Sequence, residues 1–320
     1  MTAHITVMPS GHTFSAEEND TLLEAALRAG IPLSYGCSSG NCGECLARVL
    51  SGTVVKVRPH DYLIKEADKN KGAVLMCAYS AMGEVVIQAG IAGADDIPRQ
   101  TIATRVKSVE PINEQVRALH LMTPRSQRLR FLAGQSVRLE AGSAAGEYYI
   151  ASCPCEDRHI ELHIRRDSQP FSEQVFAGLA KESVVQLTGP DGGFVIQLDS
   201  RRPILFVAWD DGFAPIKSLI QHAMSLEIAE SMHLYWLAGT LAHYQENYVR
   251  SLADALDDFE YTLLDGRGDP AQLAEQVLAT HPDLSHSDIY AAGPAGFLAS
   301  LREAAFARSL SAQGWHEEVM

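Results

Sequence analysis

Residues 36–45 read GCSSGNCGEC, and residues 75–80 read LMCAYS. Together these two stretches hold four of the six cysteines of the chain: Cys37, Cys42, Cys45 and Cys77. The first three are separated by four and then two residues, and the fourth comes after 31 more. A C-x4-C-x2-C…C pattern is typical of four thiolates that bind a 2Fe–2S cluster. The pattern therefore predicts an N-terminal segment folded around such a cluster.

The residues between these cysteines suit a loop that wraps tightly around a cluster. Gly36, Gly40 and Gly43 allow backbone conformations that a β-carbon would obstruct. The small side chains beside them leave backbone N–H groups available to the cluster sulfurs. The alternatives are a structural zinc site and a group of buried thiols. Structural zinc sites usually combine two CxxC pairs, and only one is present here, so the sequence favours the cluster.

Composition narrows the class of protein. The chain has 320 residues, of which 46% are hydrophobic and 21% charged, as in an ordinary globular protein. Its formal net charge of −14 argues against nucleic acids and anionic membranes as partners. The sequence contains no run of about 18 apolar residues, so it predicts no membrane span. The N-terminus lacks the pattern of a secretory signal. We therefore expect a cytoplasmic protein, in which cysteines are more often ligands than disulfides.

The chain divides into segments of different pattern. The first mixes short alternating runs with one helical stretch, which begins at Asp20 as the expected N-cap and ends at Gly30. The second is rich in strands separated by turn residues and predicts a small antiparallel β-barrel. In the third, strands alternate with helices, as in a Rossmann-like α/β domain with a parallel sheet. The predicted boundaries are residues 1–90, a linker at 91–97, residues 98–199 and residues 200–320.

The two remaining cysteines, Cys153 and Cys155, lie in SCPCED after a predicted strand. A redox dithiol and half of a metal site are the functional interpretations. No further cysteine lies close to them in sequence, and the pattern favours two small residues without a chemical role.

The arrangement as a whole resembles known redox proteins. Residues 1–90 resemble plant-type ferredoxins, which have an α+β fold, the β-grasp. A ferredoxin domain followed by a barrel and an α/β domain is similar to the ferredoxin–NADP reductase superfamily, in particular to the reductase components of multicomponent oxygenases. The resemblance implies an oxidoreductase, if FAD is bound, that passes electrons from NAD(P)H through FAD and the 2Fe–2S cluster to an oxygenase or another metalloenzyme.

The same resemblance places flavin-binding candidates in the barrel. The family motif R-x-Y-S, followed by an apolar residue, a small residue and serine, falls on residues 146–152. Its FAD-binding candidates are Tyr148, Tyr149, Ile150 and Ser152. Tyr148 takes the place of the ring-stacking tyrosine, whereas Gly146 stands where the family has the arginine that pairs with the pyrophosphate. The alternative is that Tyr148 and Tyr149 are ordinary aromatic residues of a strand.

A second flavin element corresponds to SQPFSEQV, residues 168–175. Ser172 is a candidate phosphate donor at the start of a helix. Gln169 stands where the family usually has glycine, which would crowd a close approach of backbone to phosphate. The alternative is that Ser172 is an ordinary N-cap.

The nicotinamide loop of the family, G-G-T-G-[IL]-A-P, corresponds to WDDGFAP at residues 209–215. Gly212 and Pro215 are retained between a predicted strand and a predicted helix. Trp209 would block space that a nicotinamide uses, and the carboxylates of Asp210 and Asp211 would repel dinucleotide phosphates. The alternative is that this loop merely closes the fold.

The distribution of charge bears on the same question. Residues 200–320 carry 7 basic and 17 acidic residues, a net charge of −10, in the segment where a dinucleotide would bind. This disfavours NADH, and the lack of basic residues after HLYWLAG disfavours NADPH. Besides the reductase, two hypotheses therefore stay open. One is a 2Fe–2S carrier or docking protein whose other domains serve as a scaffold or homodimer interface. The other is a redox sensor.

Overall fold

The computed structural model describes residues 2–36, 38–124, 127–156 and 158–320, which form three units, each built on its own sheet. The elements of the first unit are β1 (Ala3–Met8), β2 (Thr13–Ala16), α1 (Leu22–Arg28), β3 (Leu46–Lys56), α2 (Glu66–Lys69), β4 (Ala73–Leu75) and β5 (Tyr79–Gln88). The strand order is β2-β1-β5-β3-β4. Strands β1 and β5 run parallel, and all other neighbours are antiparallel.

Helix α1 is capped by a different residue from the one expected. The Thr21 hydroxyl accepts the backbone N–H of Glu24 at 3.2 Å, and the Glu24 carboxylate accepts the N–H of Thr21 at 3.3 Å. This capping box satisfies two backbone donors at once. The prediction of Asp20 as the N-cap is therefore wrong by one residue, because Asp20 accepts the N–H of Glu17 instead and forms an ion pair with Arg28.

The second unit is an antiparallel sheet. Its elements are β6 (Gln100–Pro111), β7 (Val116–Met122), β8 (Ser136–Ala141), β9 (Ala144–Tyr149), β10 (His159–Arg165), α3 (Pro170–Gly178) and β11 (Val184–Asp191). The strand order is β10-β7-β6-β11-β8-β9, and a bridge between Ile150 and Leu162 connects the two edges. The sheet therefore curls into a barrel, with Phe171 of α3 fully buried in its core.

The third unit is a parallel sheet flanked by helices. Its elements are β12 (Ile204–Trp209), α4 (Phe213–Leu226), β13 (Met232–Ala238), α5 (Glu246–Ala255), β14 (Phe259–Asp265), α6 (Pro270–Val277), β15 (Asp288–Gly293), α7 (Ala295–Ala307) and β16 (Trp315–Val319). The strand order is β14-β13-β12-β15-β16. The direction of the chain order reverses beside β12, so a crevice opens at the carboxyl ends of β12 and β15, where sheets of this kind bind ligands.

Helix α4 joins the third unit to the barrel. Lys217, which is only 3% exposed, places its Nζ 2.6 Å from Oε2 of Glu161 on β10. The Ser218 hydroxyl donates to the carbonyl of Ser152, in the segment after β9, at 2.7 Å. Two unlike sheets are thus held together by a buried ion pair and by hydrogen bonds to the segment after β9.

Glu161 is also paired on its other oxygen. Its Oε1 lies 2.9 Å from Nε2 of His163, and Nδ1 of that ring lies 3.1 Å from the hydroxyl of Tyr244. Burial lowers the pKa of His163, which favours the neutral ring. In the neutral tautomer that donates from Nε2 to Glu161, Nδ1 accepts from the Tyr244 hydroxyl. Burial alone would raise the pKa of Glu161, but His163 and Lys217 outweigh it and hold that pKa well below its usual range.

The predicted fold class is confirmed: an α+β ferredoxin-like unit, an antiparallel barrel and a parallel α/β sheet. The boundaries proposed for the domains stay predictions. Strand β16 was not anticipated, because WHEEV is too polar to read as a strand of a parallel sheet; it pairs only with β15 at the edge. None of the helices among the described residues combines the length and apolar character needed to cross a membrane.

We expect Lys217→Met to lower the free energy of unfolding by about 3 kcal/mol, because it leaves the Glu161 carboxylate buried without its cation. Urea unfolding followed by tryptophan fluorescence measures this, since all three tryptophans lie in the third unit. Because the folded-state pKa of Glu161 is depressed, its contribution is present above the unfolded-state pKa of about 4.3 and is lost as the pH falls further. The variant should lose most of this acid dependence.

The matched control is Arg250→Met, which breaks the exposed Arg250–Glu246 pair within α5, at 2.6 Å. Its unfolding midpoint should stay unchanged. Equal effects of the two substitutions would contradict a special role for the buried pair.

Candidate cofactor sites

The cysteines of the first unit converge on one end of it. Cys45 and Cys77 are buried, and their sulfur atoms lie 3.2 Å apart, although 31 residues separate them in the chain. Cys42 is exposed on the loop that precedes Cys45, where the backbone N–H of Glu44 lies 3.5 Å from its Sγ. Cys37 lies outside the described residues. The structure therefore brings two of the four expected ligands, Cys45 and Cys77, into contact, with Cys42 three residues before Cys45, and four thiolates are the donor set that an iron–sulfur cluster requires.

Glycines hold this loop in place. Gly40 and Gly43 have φ values of +82° and +81°, which lie in the left-handed region that L side chains rarely adopt. A β-carbon on Gly43 would lie 2.3 Å from the ring of Tyr62, and one on Gly40 would lie 2.5 Å from Cβ of His60. The segment that holds His60 and Tyr62 thus packs so closely against the loop that only glycine fits at positions 40 and 43.

The cysteine loop contacts the barrel. Nη1 of Arg130 lies 3.4 Å from Oε2 of Glu44, and the same guanidinium lies 5.2 Å from the centroid of the buried Tyr35 ring. Arg130 is only 12% exposed, whereas Glu44 is 60% exposed, so the carboxylate side of this contact is open to solvent. The contact orients the end of the first unit that carries the cysteines toward the barrel.

A cleft of 510 Å³ opens between the barrel and the third unit, at the crevice described above. Its lining residues are Glu147, Tyr148, Tyr149, His163, Arg165, Asp167, Gln169, Trp209, Asp210, Asp211, Ala214, Thr240, Pro294, Val319 and Met320. The volume is typical of a small-molecule site. Four carboxylates and one guanidinium line it, so the described part of the cleft is acidic.

Tyr148 lies on the barrel side of the cleft. It is 7% exposed, and its ring packs against Phe171 with the centroids 5.6 Å apart. Burial raises the pKa of its hydroxyl above the usual range. A β-carbon on Gly146 would lie 2.6 Å from that hydroxyl, so an arginine at position 146 would displace the tyrosine. The absence of the family arginine at position 146 therefore leaves the space that the inward position of Tyr148 requires.

Tyr149 points the other way, toward the third unit. Its hydroxyl donates to Oε1 of Glu318 on β16 at 2.6 Å. Burial and this hydrogen bond raise the pKa of Tyr149. Tyr149 therefore connects the barrel to the last strand of the chain, next to Met320, whose backbone N–H donates to the carbonyl of Gly293 at 3.0 Å.

The other flavin candidates of the barrel are buried. Ile150 forms the bridge to Leu162, and the Ser152 hydroxyl accepts the N–H of Glu161 at 3.1 Å. The Ser172 hydroxyl donates to the carbonyl of Arg165 at 2.7 Å and accepts the N–H of Asp167. The N-cap of α3 is Gln169, with Pro170 following it, so the alternative interpretation of Ser172 as the N-cap is wrong.

Gly212 and Pro215 start helix α4. Gly212 is its N-cap, and a β-carbon there would lie 2.5 Å from the carbonyl oxygen of Ala292, so the glycine allows β15 to approach closely. Pro215 lies in the first turn, as expected for proline. Both residues therefore determine how the helix that borders the crevice begins.

Trp209 lies across the mouth of the crevice. A β-carbon on Gly239 would lie 2.5 Å from its Nε1, and one on Gly293 would lie 2.8 Å from its Cβ. Its ring packs against Phe297 with the centroids 4.9 Å apart. The side chain thus extends between the ends of the two strands that flank β12, in the space where the sequence predicted a steric block.

Two features were missed or misread in the sequence. Arg165, at the end of β10, is the guanidinium of the cleft; its Nη2 donates to the Thr240 hydroxyl at 2.9 Å and its Nη1 lies 3.4 Å from Asp211. A basic residue that ends a barrel strand was a weak signal, since both partners come from the third unit. Cys153 and Cys155 form a disulfide, a pairing that the sequence did not predict.

The cleft fits a flavin better than it fits a nicotinamide dinucleotide. Two tyrosines and a cavity of 510 Å³ suit an aromatic ring system, and the guanidinium of Arg165 adds one positive charge to the lining. On the side of the third unit, the indole of Trp209 and the carboxylates of Asp210 and Asp211 occupy the crevice. The residues present therefore fit FAD, whereas the nicotinamide side is filled by the side chains of the protein itself.

Comparison with known proteins gives the following matches. Residues 5–81 match the model of a 2Fe-2S iron-sulfur cluster binding domain, and residues 103–196 match that of an oxidoreductase FAD-binding domain. The chain is 30% identical over 298 residues to the ferredoxin–NAD(+) reductase component of the alkene monooxygenase system of Xanthobacter autotrophicus, covering 89% of this chain and 90% of that protein.

Two further matches extend over nearly the whole chain. CDP-6-deoxy-L-threo-D-glycero-4-hexulose-3-dehydrase reductase of Yersinia pestis is 29% identical over 317 residues, covering 94% of this chain and 93% of that protein. The crystal structure of the Amycolatopsis cytochrome P450 reductase GcoB superimposes with a TM-score of 0.61 at 25% identity, covering 99% of this chain and 98% of that one.

We expect Cys42→Ser to abolish the cluster, because the exposed sulfur of Cys42 is one of four ligands that the pattern requires. Iron and sulfide analysis together with the visible spectrum measures the loss. The control is Cys155→Ser, which removes a cysteine outside the loop and should keep the full cluster. A normal spectrum in Cys42→Ser would overturn the ligand assignment.

Gly43→Ala should also prevent normal loading of the cluster, because the added β-carbon meets the ring of Tyr62 in addition to the unfavourable φ. Gly83→Ala is the matched control: φ is +67° there, and nothing lies within 4 Å of the added carbon. Both substitutions should cost about 1–2 kcal/mol in backbone conformation, but only Gly43→Ala should lower the iron content. Equal iron content in both variants would contradict this account of the loop.

Proposed function

Since this chain belongs to the family of reductase components that supply electrons to oxygenase systems, we propose that it passes electrons from NAD(P)H through FAD and a 2Fe–2S cluster. The acceptor is an oxygenase component or another metalloenzyme. The observation that carries the proposal is the combination, in one chain, of converging cysteines and an aromatic-lined cleft in a matched FAD-binding domain.

The two cofactors divide the chemistry. A hydride delivers two electrons at once, so FAD held in the cleft would supply a two-electron acceptor, and a 2Fe–2S cluster held by the cysteine loop would supply one-electron transfer. The chain contributes by placing these sites on neighbouring units. Arg130 fixes the cysteine loop against the barrel through Glu44 and Tyr35, so the cluster end and the cleft belong to one packed assembly.

The residues of the cleft have separable roles in this proposal. Tyr148 and Tyr149 supply an aromatic wall, and the bond from Tyr149 to Glu318 fixes its orientation. Arg165 is the cation of the cleft, and it contacts Asp211 and the Thr240 hydroxyl of the third unit. Trp209 covers the mouth of the crevice and excludes water from it.

The alternative of a carrier or docking protein that has lost both cofactor sites is not favoured. The FAD-binding model matches 94 residues of the barrel without interruption, residues 103–196, and the cleft retains an open volume. Nothing in the described lining of the cleft, which combines apolar and aromatic side chains with four carboxylates, argues specifically for a homodimer across it. We retain a cytoplasmic location as a proposal that rests on the sequence pattern alone.

The protein loaded anaerobically with cluster and FAD tests the proposal. We expect heat to release flavin into the supernatant, and NADH or NADPH to bleach the flavin and cluster absorption bands. Cys42→Ser should keep flavin bleaching but lose electron transfer to a one-electron acceptor such as cytochrome c. Cys155→Ser should behave as the wild type. Absence of released flavin together with failure of both nucleotides to bleach the cluster would contradict the reductase and support the carrier.

A further inference from the structure

Donors at the carboxyl end of β13 converge on one side chain, that of Asp210. Its Oδ1 accepts the backbone N–H groups of Gly239 at 2.7 Å and Leu241 at 3.0 Å. Its Oδ2 accepts the backbone N–H and the hydroxyl of Thr240, both at 2.8 Å. Successive backbone N–H groups that point to one place form an anion-binding nest. In this protein the bound anion is a carboxylate of the same chain.

Asp210 holds this position against the preference of its backbone. Its φ is +50°, in the left-handed region that is unfavourable for a residue with a β-carbon. The residue is nevertheless buried, with 5% exposure. The hydrogen bonds from residues 239–241 to its carboxylate offset this unfavourable φ and hold Asp210 in place.

The nest lies where a dinucleotide would bind. Asp210 and Thr240 both line the cleft, at the crevice where the order of the strands reverses. The hydroxyl of Thr240 also accepts from Nη2 of Arg165 at 2.9 Å, which extends the donor set with a positive charge. Backbone N–H groups, a hydroxyl and a guanidinium are the donors that phosphate oxygens require.

We propose that Asp210 is a specificity-determining residue that limits the affinity of this protein for nicotinamide dinucleotides. Its carboxylate occupies the donors that a pyrophosphate would use, so a dinucleotide binds only by displacing it. The second carboxylate, Asp211, occupies the guanidinium of Arg165 in the same way, at 3.4 Å. This inference rests on the proposed function, because it concerns the nucleotide that reduces the protein.

The test is the binding of NAD⁺, which is not a reductant, to the full chain loaded with cluster and FAD, measured by isothermal titration calorimetry. We expect Asp210→Gly to lower the Kd at least tenfold, because it frees the donors and suits the positive φ. Asp210→Asn keeps the shape but loses the charge, and it should lower the Kd by a smaller factor. Inorganic pyrophosphate should compete with NAD⁺ in Asp210→Gly and not in the wild type.

The matched control is Asp254→Asn, which removes the same charge from the exposed face of α5 in the same unit. Its Kd should equal that of the wild type. If it tightens binding as much as Asp210→Asn does, the effect is one of net charge, and the inference is overturned. If Asp210→Asn binds no more tightly than the wild type, the inference is overturned whether or not Asp210→Gly folds.

The outcomes separate this inference from the proposed function. Tighter binding of NAD⁺ to the Asp210 variants, with no bleaching by NADH or NADPH in any protein, would support the role of Asp210 and contradict the reductase. Bleaching of the wild type together with unchanged binding in both variants would support the reductase and overturn the role of Asp210.

Discussion

The buried ion pair between Lys217 and Glu161 holds the barrel and the parallel sheet in one arrangement, and the cleft exists only in that arrangement. Lys217 belongs to the helix that starts at the crevice, and Glu161 belongs to the strand that ends at Arg165. A buried carboxylate without a cation would be strongly unfavourable, so the two units are constrained to meet at this point. The pair therefore sets the distance between the two walls of the cleft.

The cysteine end and the cleft differ in which features of the family motifs they keep. The cysteine end keeps its glycines, its close cover by Tyr62 and its contact with the barrel through Arg130. The cleft keeps its volume and its aromatic wall, but its nucleotide side is filled by Trp209 and by carboxylates that satisfy the donors nearby. The cysteine end is thus arranged for a cluster, whereas the nucleotide side of the cleft is occupied by side chains of the protein itself.

Several of these features follow from one another rather than standing alone. Gly146 has no side chain because Tyr148 folds back over it, and Gly293 and Gly239 leave the room that Trp209 fills. Gly212 permits β15 to approach the start of α4. Each departure from the family motifs is thus accommodated by the residues around it. The fold is intact at each of these positions.

The sequence by itself determined the fold class and predicted the cluster ligands, because both depend on local spacing: strands alternating with helices, and cysteines four and two residues apart. It also identified the loop at residues 209–215 as unusual. Only the tertiary structure decided what that loop does, because the donors that hold Asp210 come from the end of a different strand, β13. The same holds for Lys217 with Glu161 and for Tyr149 with Glu318, whose partners are 56 and 169 residues apart in the chain. Side chains that meet across separate units leave no period or spacing in a sequence, and their pairing appears only once the sheets have packed.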